Sequence, residues 1–173
     1  MTNEPWHLQN IGSVEMIELP SSWLEAPTGE PFGGRILRKF YPPENPEVKF
    51  CHYERQIPLS TPASKAFSAT LYAEFHELSD DEISALSEVL EGMSNRQNFQ
   101  VRKAYTCYLN SRRVIRVEGR WSTANTETIA CFLDVNGRAE QVEQIYFTCP
   151  EDIFADLRDQ VVKEIFLSVV WKR

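Results

Sequence analysis

Positive charge, histidine and metal-ligand spacing are all scarce in this chain. Lys and Arg number 18 against 25 Asp and Glu, leaving a formal net charge of −7. A surface of that sign repels phosphate, which excludes general nucleic-acid binding and attachment to anionic lipid as main roles. The three histidines, His7, His52 and His76, include no pair at helical i, i+4 spacing, so no metal site is predicted from them. Cys51, Cys107, Cys131 and Cys149 contain no CxxC. They sit in apolar, strand-like runs and read as reduced thiols acting as small hydrophobes; spacing leaves a disulfide open. No apolar run approaches the ~20 residues of a membrane-spanning helix. The opening Met1-Thr2-Asn3-Glu4-Pro5-Trp6-His7-Leu8 has neither the basic nor the apolar region of a secretory signal, which makes the cytoplasm the expected compartment. Internal repeats and low-complexity segments are absent. Gly33-Gly34 precedes a strand pattern rather than a helix, so it lacks the converging N–H groups of a phosphate cradle. No catalytic residue and no cofactor is predicted.

What is present suits one domain over residues 1–173, a length that buries roughly 70% of the unfolded surface. Hydrophobic residues make up 42% and aromatic residues 12%, a balance that fits a sheet-based core. Gly12 to Leu19 alternates, with Val14 and Met16 on one side and Ser13, Glu15 and Ile17 on the other. A long loop rich in Pro and Gly follows from Pro20 to Gly34. Arg35 to Tyr41 and Val48 to Ile57 read as a hairpin across Pro42-Pro43-Glu44-Asn45-Pro46. Phe99 to Leu109, Arg113 to Trp121, Thr128 to Val135 and Glu140 to Thr148 read as an antiparallel meander. Val101, Tyr105, Cys107 and Leu109 are expected on one face of its first strand. Asn136-Gly137 predicts a two-residue type I′ turn.

Three segments carry helical signals. Pro62 to His76 places Phe67, Leu71 and Phe75 four apart among alanines, which favours a helix, although alternation from Phe67 to Phe75 also fits a strand. Ser79 to Glu91 opens with an S-x-x-E capping box at Ser79 and Glu82 and stops at Gly92. Glu151 to Phe166 carries the stripe Ile153, Leu157, Val161 and Ile165. Val169 to Trp171 is expected as a short edge strand. The predicted fold class is α+β: a single antiparallel twisted sheet, made of an N-terminal hairpin and a C-terminal meander, packed by two or three helices.

This layout resembles the Mog1/PsbP-like α+β fold. The resemblance rests on a strand running into Leu19-Pro20-Ser21-Ser22-Trp23, on the hairpin, helix and meander that follow, and on a C-terminal helix entering Ser168-Val169-Val170-Trp171. It implies a non-enzymatic accessory, assembly or partner-binding protein. Leu19, Pro20 and Trp23 carry a structural role in it.

Two clusters are candidate sites. Trp23, Phe32, Arg35 and Tyr41 lie in or beside the long loop, and interfaces concentrate Trp, Tyr and Arg, so this edge is the expected partner-binding surface. Arg116, Glu118 and Arg120 share one face of a meander strand. Arginine's planar fork suits an anionic ligand, with Glu118 between the two, but alternating charges on a strand also pair across it. The carboxylates Glu118, Asp134 and Glu143 lie on neighbouring strands; two of them could approach closely enough for acid–base work, but the favoured reading is a solvated face that balances Arg116 and Arg120. Cys51 and His52 are adjacent on a strand and so point to opposite faces. Three uses follow: a non-enzymatic binding or accessory protein acting through the Trp23–Tyr41 edge, a small-molecule binding protein or enzyme using the arginine face, or an acidic inhibitor or immunity-type protein meeting a basic partner.

Overall fold

The structure, a computed structural model, describes residues 6–29 and 33–173. Two antiparallel sheets and a set of helices make the fold α+β. Trp6–Ile11 (β1) and Val14–Leu19 (β2) form a hairpin, joined along β2 by the edge strand Val170–Trp171 (β10). The other strands are Leu24–Glu25 (β3), Ile36–Tyr41 (β4), Lys49–Glu54 (β5), Phe99–Leu109 (β6), Arg112–Trp121 (β7), Thr126–Asp134 (β8) and Val142–Pro150 (β9). They make a seven-stranded sheet in the order β3-β4-β5-β9-β8-β7-β6. The expected single sheet is therefore divided. Pro20 follows β2 and cannot extend its ladder. The Trp23 N–H donates to the Pro20 carbonyl at 3.0 Å, and this turn sends the chain into the larger sheet.

The hairpin of β4 and β5 and the four-strand meander stand as expected, with two local differences. Two residues of β6 oppose one of β7 between Val101 and Lys103. This bulge turns Val101 to the side of Ala104, while Cys107 and Leu109 face the other core, because one extra residue shifts a period of two. The Asn136-Gly137 turn is not type I′. Of the pair only Gly137 has positive φ, and β8 and β9 are joined by a longer loop that also uses Ala139 at φ +55°. Asp134 organises it, accepting from the N–H groups of Asn136 and Ala139 at 3.3 and 2.8 Å.

Thr61–Leu71 (α1) resolves the ambiguous segment as helix as far as Leu71. Ser60 caps it, accepting from the Ala63 N–H, and Pro62 sits in its first turn. The capping box at Ser79 and Glu82 forms as the sequence predicts. Its helix breaks at Leu86 into Asp80–Ala85 (α2) and Ser87–Leu90 (α3), so that Leu86, Val89 and Leu90 all reach the core. Glu151–Glu164 (α4) is the long C-terminal helix.

Each face of the large sheet carries a packed layer. On one, Leu8, Val14, Ile17 and Leu19 of the small sheet and Val161, Ile165 and Phe166 after it meet Phe50, Ile129, Ile145 and Phe147. On the other, Phe67, Leu71, Leu86 and Leu90 meet Phe99, Ile115, Val117 and Phe132. Each such side chain contributes roughly 1.5–3 kcal/mol on burial. The second helical layer is short, however. It lies over β6 to β8 and leaves β4, β5 and the adjoining part of β9 open, which creates a cleft.

Candidate functional site

The sequence-predicted partner edge divides in space. The Trp23 turn lies beside the turn after β4, where the Asn45 N–H donates to the Pro42 carbonyl at 3.1 Å. Tyr41 pairs with Leu24 across β3 and β4 at this same end. Arg35 precedes the far end of β4, 3.9 Å from Glu91. Six strand residues, roughly 20 Å at ~3.3 Å each, separate it from Tyr41. Phe32 lies outside the described residues. Trp23 and Tyr41 thus share one end of the sheet, and Arg35 does not join them.

The Trp23 end carries a groove that the sequence pattern did not show. It has a volume of about 520 Å³ and runs between the two turns and α4. Pro20, Trp23, Pro42 and Val48 form one wall, and Ile153, Leu157, Val161 and Ile165 form the other. Trp23, Ile153 and Leu157 are only half-buried, so the apolar stripe of α4 is wider than the sheet beneath it covers. Glu44, Asp156 and Glu164 edge the groove, and among the described residues no Lys or Arg lines it. A shallower hollow of about 400 Å³ continues from Pro20 and Glu164 to Lys163 and Leu167, the last 53% exposed.

The arginine face has a different setting. Arg158 of α4 reaches down to Glu118 at 2.6 Å, and Arg116 holds the same oxygen at 3.2 Å. α4 therefore packs on this face, not away from it. Arg116 also lies over the Tyr105 ring, 5.9 Å from its centroid. Arg120 is separate, engaged by Glu151 at 3.1 Å and by the Asn125 side-chain oxygen at 2.6 Å. Glu118, Asp134 and Glu143 each have a different task. Glu118 holds two guanidinium groups, Asp134 caps its loop and accepts from the Tyr72 hydroxyl at 2.7 Å, and Glu143 binds the Ser13 N–H and His52.

Arg120 does border a wide opening over the uncovered part of the sheet. This cleft measures about 980 Å³, with Cys51, Tyr53, Gln144 and Tyr146 on its floor and Met93 and Trp121 at its side. Lys39, Lys49 and Arg120 line it together with Glu47, Glu91, Glu151 and Asp152, so its charge is mixed. Nothing in the linear sequence marks this cleft. The available signal was supply: three short helices cannot cover seven strands.

None of the buried thiols is prepared for nucleophilic work. Burial raises the Cys51 thiol to about 11 and those of Cys131 and Cys149 to about 12, well above the values at which a thiolate forms near neutrality. All four cysteines are free thiols. Cys51 faces Tyr146 while His52 faces Glu143, on opposite sides of β5 as alternation requires. No described helix is long and apolar enough to cross a membrane.

Comparison with known proteins places the fold. The chain is similar to the solution structure of cyanobacterial PsbP (CyanoP) from Synechocystis sp. PCC 6803, with a TM-score of 0.61 over 99% of this chain and 95% of that one. Identity is 10%, so the likeness is one of fold: this is a PsbP-like α+β structure. No protein-family model and no curated protein matches the sequence.

Proposed function

We propose that the protein is a non-enzymatic binding or accessory protein, acting as one domain, that takes an apolar and basic segment of a partner protein into the groove between the Trp23 turn and α4. The observation that carries this reading is the groove's combination of half-buried Trp23, Ile153 and Leu157 with three carboxylates and, among the described residues, no lining cation. A net charge of −7 adds long-range attraction for a basic partner and speeds encounter. The same electrostatics accommodate an inhibitor or immunity-type role, which differs only in what the partner does when released. The reading accords with the accessory role that the fold resemblance implies. The expected compartment is the cytoplasm, where four free thiols stay reduced.

A second reading is supported by the cleft beside Arg120. Its Lys39, Lys49 and Arg120 would hold a small anionic ligand, with Arg116 and Glu118 acting behind them to fix α4. Selection of a displayed random-peptide library on the immobilised protein tests the first reading against the second. Enriched peptides should pair an aromatic or aliphatic residue with Lys or Arg and should lose affinity for a folded Leu157→Lys variant. Enrichment of no common pattern, or undiminished binding to that variant, would reject the groove.

A further inference from the structure

A buried imidazole and two carboxylates meet where the turn between β1 and β2 lands on the large sheet. His52 and Glu54 are two residues apart on β5 and share a face; Glu54 pairs with Glu143 of β9, which places Glu143 diagonal to His52. One donor atom from each of the three lies within 4.8 Å of the other two. His52 is 0% exposed and Glu143 1%. The His52 Nε2 is 2.6 Å from Glu143 Oε1, and the Ser13 N–H donates to both Glu143 oxygens at 3.0 and 2.9 Å. Gly12 closes the site from above. Its φ is +50°, and a Cβ there would come within 2.5 Å of Glu54 Oε1 and 2.6 Å of Glu143 Oε1.

The charges do not balance as they stand. His52 is engaged by Glu143, which leaves the third member of the cluster, Glu54, over. Among the described residues, Glu54 has no hydrogen-bond or ion-pair partner and no Lys or Arg pairs with Glu143. Two carboxylates beside one imidazole leave the cluster able to accept a further positive charge, which a bound cation would supply. The imidazole decides which cation. One nitrogen and two carboxylate oxygens form a donor set for zinc-like transition ions, whereas calcium needs six to eight oxygens. Ligands at ~2.1 Å in a tetrahedral shell stand ~3.4 Å apart, so the His52–Glu143 pair at 2.6 Å would open by about 0.8 Å and separations of up to 4.8 Å would close by up to about 1.4 Å.

We propose that His52 Nε2, Glu54 and Glu143 form a binding site for a divalent transition-metal ion of the zinc class, with water completing the shell. Bound there, the ion ties the Gly12–Ser13 turn, β5 and β9 together. The experiment is a titration of the chelator-treated full chain with Zn²⁺ by calorimetry, with Co²⁺ absorption as a second readout. One equivalent should bind, thermal unfolding should shift upward with Zn²⁺, and the Co²⁺ spectrum should lack a thiolate charge-transfer band. Glu54→Gln keeps the side chain's shape and breaks no existing bond, so it should fold and weaken binding by about tenfold or more. His7→Gln and His76→Gln should bind as the parent does. No binding up to about 100 μM free Zn²⁺, equal affinity in Glu54→Gln, or a thiolate band would each overturn the proposal.

Discussion

Replacing Glu118 by Gln keeps the side chain's shape and removes its charge, and so asks whether the arginine face serves the fold or a ligand. Glu118 is 11% exposed, Arg116 16% and Arg158 37%. The Arg158 contact is largely solvated, so its share is below about 1 kcal/mol. Arg116 contributes more: its Nε lacks a hydrogen-bond partner among the described residues, and the Glu118→Gln change would leave the buried guanidinium facing a neutral amide. Stranding one buried charge costs 3–5 kcal/mol when burial is complete; at this exposure about 2 kcal/mol is reasonable. The sum is about 2–3 kcal/mol, or a fall in Tm of roughly 5–10 °C for a chain of this length. Urea unfolding with an unchanged m-value would record it. A cycle with Arg158→Ala should return a coupling below about 1 kcal/mol between residues 118 and 158. A Glu118→Gln protein within about 0.5 kcal/mol of the parent, or more stable than it, would refute this reasoning and return the face to the ligand reading.

Other perturbations have definite signs. Gly119→Ala would drive a Cβ into the Gln100 carbonyl and the Phe99 ring, with cost of about 3 kcal/mol, read as loss of folded protein on expression or a large drop in Tm. The Glu74 carbonyl and Glu82 raise the His76 pKa. Desolvation works to raise Glu82, but the Ser79 N–H and His76 together outweigh it and hold the carboxyl below its ordinary value. The histidine's contribution is therefore full below the ordinary histidine value and is lost as pH rises through the raised one; the carboxylate's is lost as pH falls through its lowered one. Under about 1 kcal/mol is at stake. The Tm difference between parent and His76→Asn should be larger near about pH 6 than near about pH 8. A disulfide-exchange reagent should label at most the half-buried Cys107 quickly in the native protein and all four thiols in denaturant; rapid labelling of Cys131 or Cys149 would contradict their burial.

Local chemistry was the legible part of this fold. The capping box at Ser79, the turn after Tyr41 and the α4 stripe each follow from interactions within a few residues, and each stands in the structure. Segments whose conformation depends on distant partners were harder. β1 has a weak alternation, with Leu8 and Ile11 buried, and needs β2 to be defined as a strand. The bulge at Arg102 and the Asp134-centred loop both depend on how neighbouring strands align. The sites were less legible still. Trp23 was identifiable as a loop aromatic, but the groove also needs Ile153 and Leu157, some 130 residues away. His52, Glu54 and Glu143 are brought together only by the register between β5 and β9.

The central claim is that a partner segment occupies the groove beside Trp23. Its most direct test places a photo-activated crosslinking residue at position 160, in place of Gln160 on the groove wall, and a second at position 39, in place of Lys39 in the large cleft. Irradiation in the source cells and mass spectrometry of the adducts then name what lies at each place. The account predicts one dominant protein adduct from position 160, mapped to a segment with an apolar residue next to Lys or Arg, and abolished by Leu157→Lys. Adducts from position 39 alone, or a position-160 adduct unaffected by Leu157→Lys, would contradict it.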